Sequence, residues 1–210
     1  MTAPSYGSTD EVRFSRPGEI PTKDGQQVSR DGSLLVTDEV FNAASHFVAF
    51  MFSLLGGAAL VVEASVQEAP LKIIGFAIYA ATLSVMFGAS ALHHGLGGSR
   101  ALERSLRIAD YCATYFLPKW ISLTIFMSMG WMGLFLALLI RRSVGIGGIL
   151  LLAAGGVAYT GGGYVYQAED DRMVLIAGRL GHHEIWHCAV IAGAVLHYAF
   201  MWFFVLPWKG

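Results

Sequence analysis

Residues 45–66 read SHFVAFMFSLLGGAALVVEASV, an apolar run whose only charge, Glu63, comes near its end. A helix needs roughly 20 apolar residues to cross about 30 Å of hydrocarbon, so this stretch alone is long enough to span a bilayer. Three more runs of the same character follow at 71–96, 144–166 and 184–206. Between the second and third of these four lies 111–140, interrupted only by Pro118 and Lys119, which is long for one crossing and short for two. The spacing predicts an all-α, multi-pass transmembrane helix bundle of five spans. Glycines 145, 147, 148, 155, 156, 161, 162 and 163 crowd the fourth span. In lipid, small residues let backbones approach closely, so this helix is expected in the packed interior.

The rest of the composition agrees. Hydrophobic residues make up 55% of the 210 and charged ones 14%, against about 25% charged in an ordinary soluble domain. A net charge of -1 and a pI of 6.6 give no electrostatic surplus for a phosphate backbone, so no nucleic acid is expected as a partner. Cys112 and Cys188 both sit in apolar stretches and supply neither a disulfide framework nor a CxxC metal site. The glycine-rich stretch lacks the lysine and the strand context of a nucleotide-binding loop.

Charge concentrates before residue 45, among Ser, Thr, Gly, Pro and Gln. Residues 1–38 therefore read as a disordered, water-facing tail and 39–210 as the membrane domain. No secretory signal pattern precedes residue 45, which leaves targeting to the first span. On five spans, Arg13, Arg16, Lys23, Arg30, Arg100, Arg104, Arg107, Arg172 and Arg179 fall on the N-terminal side, against Lys72, Arg141, Arg142 and Lys209 opposite. Positive loops stay in the cytoplasm, so the N-terminus is expected there, in a plasma membrane or endomembrane. Residues 98–108 could form an amphipathic surface helix whose arginines meet anionic lipid heads.

Ionisable groups at membrane depth are costly and mark candidate sites. His183 and His187 stand four apart in Gly181-His182-His183-Glu184-Ile185-Trp186-His187, on one face at the start of a helix, where two neutral imidazoles can share one metal ion. A third ligand must come from elsewhere. His94 ends the second span in Ser90-Ala91-Leu92-His93-His94, with Ser90 one turn earlier on the same face. Asp110 opens the third span. Five spans bring His94, Asp110, His183 and His187 to one level, whereas six would separate them. Glu39, Asn42 and His46 fall on adjoining turns at the same level and could orient the ligands, with a capping or interfacial role as the alternative for Glu39 and Asn42. His197, about 15 Å deeper than His187, is expected to be a polar contact between helices, and Glu63 an interfacial residue.

In this order, Glu39-x-x-Asn42-x-x-x-His46, Ser90-x-x-x-His94, Asp110 after a basic loop, Met129-Gly130-Trp131, Gly155-Gly156-Val157-x-Tyr159, and His183-x-x-x-His187 followed by His197 resemble the hemolysin III and progestin/adiponectin receptor family. A wider superfamily joins it to alkaline ceramidases. The resemblance covers most of residues 39–206. It implies seven helices, a cytoplasmic N-terminus and a zinc ion near the cytoplasmic face, bound by His94, His183 and His187. Asp110 would act through a zinc-bound water, with Ser90 in the matching motif. Only residues 111–118 separate Asp110 from the stretch starting at Lys119, so roughly two helices of the family pattern are missing. Removing two spans keeps parity, so the ligand ends still meet, and the bundle could close by self-association as a homo-oligomer.

Two functions of different class follow. One is a zinc-dependent hydrolase of a ceramide- or sphingolipid-like amide, with Asp110 and Ser90 as its catalytic groups. The other is a receptor or regulator of membrane lipid composition in which zinc is a structural pin. A pore fits less well, because pores prefer polar rings along their length and here the polar groups gather at one end.

Overall fold

A computed structural model describes residues 22–23, 26–27, 39–96, 100–111, 124, 128, 131–135, 138–139, 141–168 and 181–209. The membrane domain is all-α. Its described helices are α1 (Glu39–Val66), α2 (Pro70–Gly95), α3 (Arg100–Tyr111), α4 (Arg141–Ala168) and α5 (His182–Phe200), which runs on through a π-helical turn at Met201–Val205. Ahead of them, the two-residue strands Thr22–Lys23 and Gln26–Gln27 pair antiparallel. Among the described residues, four helices are long and apolar enough to cross a membrane: Glu39–Val66, Pro70–Gly95, Arg141–Tyr166 and His182–Val205. They coincide with the four apolar runs of the sequence. The expected third span, 111–140, lies for the most part outside the described residues.

Two antiparallel hairpins make the bundle. In the first, a tight turn with Glu68 at φ 51° and Pro70 opening the next helix reverses the chain from α1 into α2. Their contact is close because of Gly57, where an added Cβ would sit 2.3 Å from the Cβ of Ala80. The second hairpin packs α4 on α5 along a glycine face: Gly155 lies under the His197 ring, and Gly162 under Ala189 and Trp186. An added Cβ on Gly156 or Gly161 would meet nothing within 4 Å among the described residues, so the contact with α5 uses one face of α4, and elsewhere on the helix Thr160 accepts a hydrogen bond from the indole of Trp131. His197 packs between helices, its ring 5.5 Å from that of Tyr159.

These contacts fix which ends meet. Lys72, at the start of α2, donates to the carbonyls of Leu206 and Trp208, satisfying acceptors left over where α5 finishes. The starts of α2 and α4 and the end of α5 thus share one end. At the other end are the start of α1, the end of α2, α3, the end of α4 and the start of α5. Burial follows the reverse of a soluble protein. Val40, Phe52, Leu71, Ile74, Ile146 and Phe203 face outward, while Asn42, His46, Ser90, His94, Glu184 and His187 are buried. An apolar exterior around a polar interior suits hydrocarbon as the solvent.

Candidate metal centre

All seven histidines stand on α1, α2 and α5, and six of them gather with Glu184 at the end where α1 and α5 begin and α2 finishes. His46, His93, His94, His182, His183, His187 and Glu184 are all buried there. The helical register explains their meeting. His183 and His187 lie one turn apart and face α2, and α2 delivers His94 in its last turn.

The Nε2 of His183 lies 3.2 Å from that of His187 and 3.4 Å from that of His94. Nitrogens bound to one tetrahedral zinc at about 2.0–2.1 Å would stand roughly 3.3 Å apart. Three imidazole lone pairs at that separation repel one another unless a proton or a cation lies between them. The Nδ1 of His94 faces the Oε2 of Glu39 at 2.6 Å. With that nitrogen donating its proton to the carboxylate, the lone pair of His94 is on Nε2, the atom turned toward the other two rings. The buried group His94, His183 and His187 can hold a metal ion. Three nitrogens leave a tetrahedral ion one open corner.

Around this triad the sequence-expected residues divide. Glu39 opens α1 and reaches His94 directly. His46, two turns on, stacks its ring on that of His187 with centroids 3.8 Å apart, and meets Phe87 edge-on at 5.1 Å. Asn42 goes elsewhere: its amide donates to the Oε1 of Glu184 at 3.0 Å, so it ties α1 to α5 without touching a ligand ring through that bond. Asp110, in the last turn of α3, is half-buried, with a carboxylate oxygen within 4.8 Å of ring nitrogens of both His93 and His94. Burial pushes its carboxyl above the ordinary value, against the opposing pull of His94 and a hydrogen bond with Ser90.

Three buried groups at this end were not singled out from sequence: Glu184, His93 and His182, the first residue of α5. Glu184 accepts the Gly181 backbone N–H at 2.8 Å through one oxygen and Asn42 through the other. Its place three residues after the helix cap was a legible signal for the first bond, but nothing in sequence points to Asn42, 142 residues away. His93 is buried beside His94, with ring centroids 5.0 Å apart. As a neighbour in sequence it projects about 100° around the helix from His94, toward α3 and Asp110.

The profile of the family described as haemolysin-III related matches residues 34–118 and 114–198 of the chain. The two matched segments overlap at 114–118. No solved structure matches the chain.

Proposed function

The chain belongs to the haemolysin-III related family, and on that premise we propose that it is a zinc-dependent hydrolase of a ceramide-like lipid amide, acting at the cytoplasmic face of the membrane. The observation that carries this reading is the set of three Nε2 atoms at 3.2 and 3.4 Å with a half-buried carboxylate, Asp110, beside them. Zinc at His94, His183 and His187 would supply Lewis acidity, polarising an amide carbonyl and making water nucleophilic near neutral pH. The chain's own groups do the rest. Glu39 holds the Nδ1 proton of His94 and so aims its other nitrogen. Asp110 is the general base that takes a proton from the attacking water and returns it to the departing amine. Ser90, hydrogen-bonded to Asp110, holds that carboxylate in position. Water adds to the carbonyl carbon, the C–N bond breaks, and the products are a fatty acid and a long-chain amine. The excess of arginine and lysine in the loops at this end supports its cytoplasmic placement.

The test is elemental analysis of purified protein in mild detergent beside assay of fatty-acid release from ceramide. About one zinc per chain is expected in the wild type, lost in His187→Ala and kept in Asp110→Asn, with hydrolysis lost in both. A folded wild type without zinc overturns the reading.

A second reading is favoured by the position of the cluster, which joins α2 to α5 beside a Glu184–Asn42 bond that joins α5 to α1. There the metal would be a structural pin in a receptor or lipid regulator. Asp110→Asn would then leave function intact while His187→Ala unfolds the bundle.

A further inference from the structure

At the end of the bundle opposite the histidines, the last turns of α1 and the π-helical turn that finishes α5 flank a cleft of about 290 Å³. Glu63 and Gln67 line it from α1, and Trp202, Phe203, Leu206 and Pro207 line it from the end of α5. Glu63 lies three residues before the end of α1, about 4.5 Å along the axis, at the depth where tryptophans meet lipid head groups. The π-helical turn Met201–Val205 carries both aromatic rings of the cleft, and such turns are rare and recur at functional sites. Among the described residues Glu63 makes no ion pair, and its one hydrogen bond is accepted from the neutral Gln67 amide by Oε1 at 3.3 Å. Lys72, a cation at this end, is committed to the carbonyls of Leu206 and Trp208. The charge of Glu63 is therefore unbalanced and its Oε2 unbonded. Trp202 is half-buried, with its ring stacked on that of Tyr198, and its indole N–H has no acceptor among the described residues. Phe203 is 65% exposed.

We propose that this cleft binds the trimethylammonium head group of a phosphatidylcholine, in the leaflet opposite the metal centre, with the cation held between the Glu63 carboxylate and the rings of Trp202 and Phe203. Charge complementarity selects a cation, because one unpaired carboxylate repels an anionic head. The aromatic rings select its type. A quaternary ammonium has no N–H to satisfy and is attracted to the faces of aromatic rings, tryptophan most of all. A primary ammonium brings three donors, and those turned toward Leu206 and Pro207 would go unpaired at a cost. The free indole N–H of Trp202 leaves a donor for a phosphate or ester oxygen of the same lipid. The volume lies at the lower limit of small-molecule sites, about 300–1,000 Å³, which suits a head group whose chains remain in the surrounding hydrocarbon. A lipid so placed bridges α1 and α5 at this end, as the Glu184–Asn42 bond does at the other. The proposal does not rest on the hydrolytic reading.

The experiment gives the full chain, in mild detergent, equal amounts of phosphatidylcholine, phosphatidylethanolamine and phosphatidylglycerol with identical acyl chains, and counts the retained lipid by native mass spectrometry. The wild type is expected to keep phosphatidylcholine roughly tenfold over either of the others. Glu63→Gln should remove that preference, and Glu63→Asp should restore part of it. Trp202→Leu should lower the preference about fivefold and Trp202→Phe by less. Glu68→Gln makes the same change at an exposed carboxylate of this end that lies outside the cleft, and should leave the preference as in the wild type. Equal retention of the three lipids by the wild type, a preference untouched by Glu63→Gln, or an equal loss in Glu68→Gln each overturns the proposal. If Trp202→Leu fails to fold, Glu63→Gln, which alters a half-buried side chain without changing its size, still decides the question. Bound metal measured on the same samples should not change in any variant, because the cleft shares no residue with the histidine triad.

Discussion

The two ends of the bundle are held by different physics. At the far end, Leu60, Ala64, Phe76 and Leu206 form a buried cluster with Tyr198, Met201 and Trp202 packed against it. At the site end the buried polar set is Asn42, His46, Ser90, His93, His94, His182, His183, Glu184 and His187. Lipid is as apolar as leucine, so the far end gains little from leaving its solvent and depends on close van der Waals fit. The site end depends on directional contacts whose loss leaves polar groups stranded in a low dielectric. The same helices thus end in a tolerant half and an exacting half.

Substitutions can break that contrast or sharpen it. The largest effect is expected from His187→Ala, which removes one of the three imidazoles that can hold a metal ion and a stacking partner of His46. Bound metal should fall to background by elemental analysis, and retention of a full equivalent would show that the triad is not the binding site. Asp110→Asn should keep the metal and lower ceramide hydrolysis by about 10²–10⁴-fold, the span of a lost general base. An unchanged rate would move the protein to the receptor reading. Glu39→Gln should weaken metal affinity by roughly 10–100-fold, as a partner that orients a ligating histidine does, measured by competition with a chelator. Leu60→Ala at the far end should cost about 2 kcal/mol of thermal stability in detergent with metal content untouched. If it released the metal, the two halves would not be separable as drawn here.

Much of this was legible in sequence, for identifiable reasons. A membrane span is a local property, set by twenty or so consecutive residues against the thickness of hydrocarbon, and the runs at 45–66, 71–96, 144–166 and 184–206 became α1, α2, α4 and α5. The pairing of His183 with His187 is also local, because four residues make one helical turn. Parity of the spans was enough to bring His94 to the same level. The packed face of α4 was half legible: glycine content announced a close contact, but which glycines faced α5 depended on the rotation of one helix against the other.

Sequence therefore determined an all-α membrane bundle, its spans within the described residues, and a set of histidines, carboxylates and Ser90 at one depth. Depth is measured along each helix, and sequence measures it well. Only the tertiary structure decided azimuth and partnership: Glu39 on His94 rather than Asn42, Asn42 on Glu184, His46 against His187, and His93 turned toward α3 and Asp110. The same arrangement brought Glu63, which sequence reads as an interfacial residue, into one cleft with Trp202 and Phe203. Those choices rest on contacts between residues as far as 142 positions apart, which no window of sequence contains, and they follow from helix rotation and crossing set by close packing at positions such as Gly57 and Gly155.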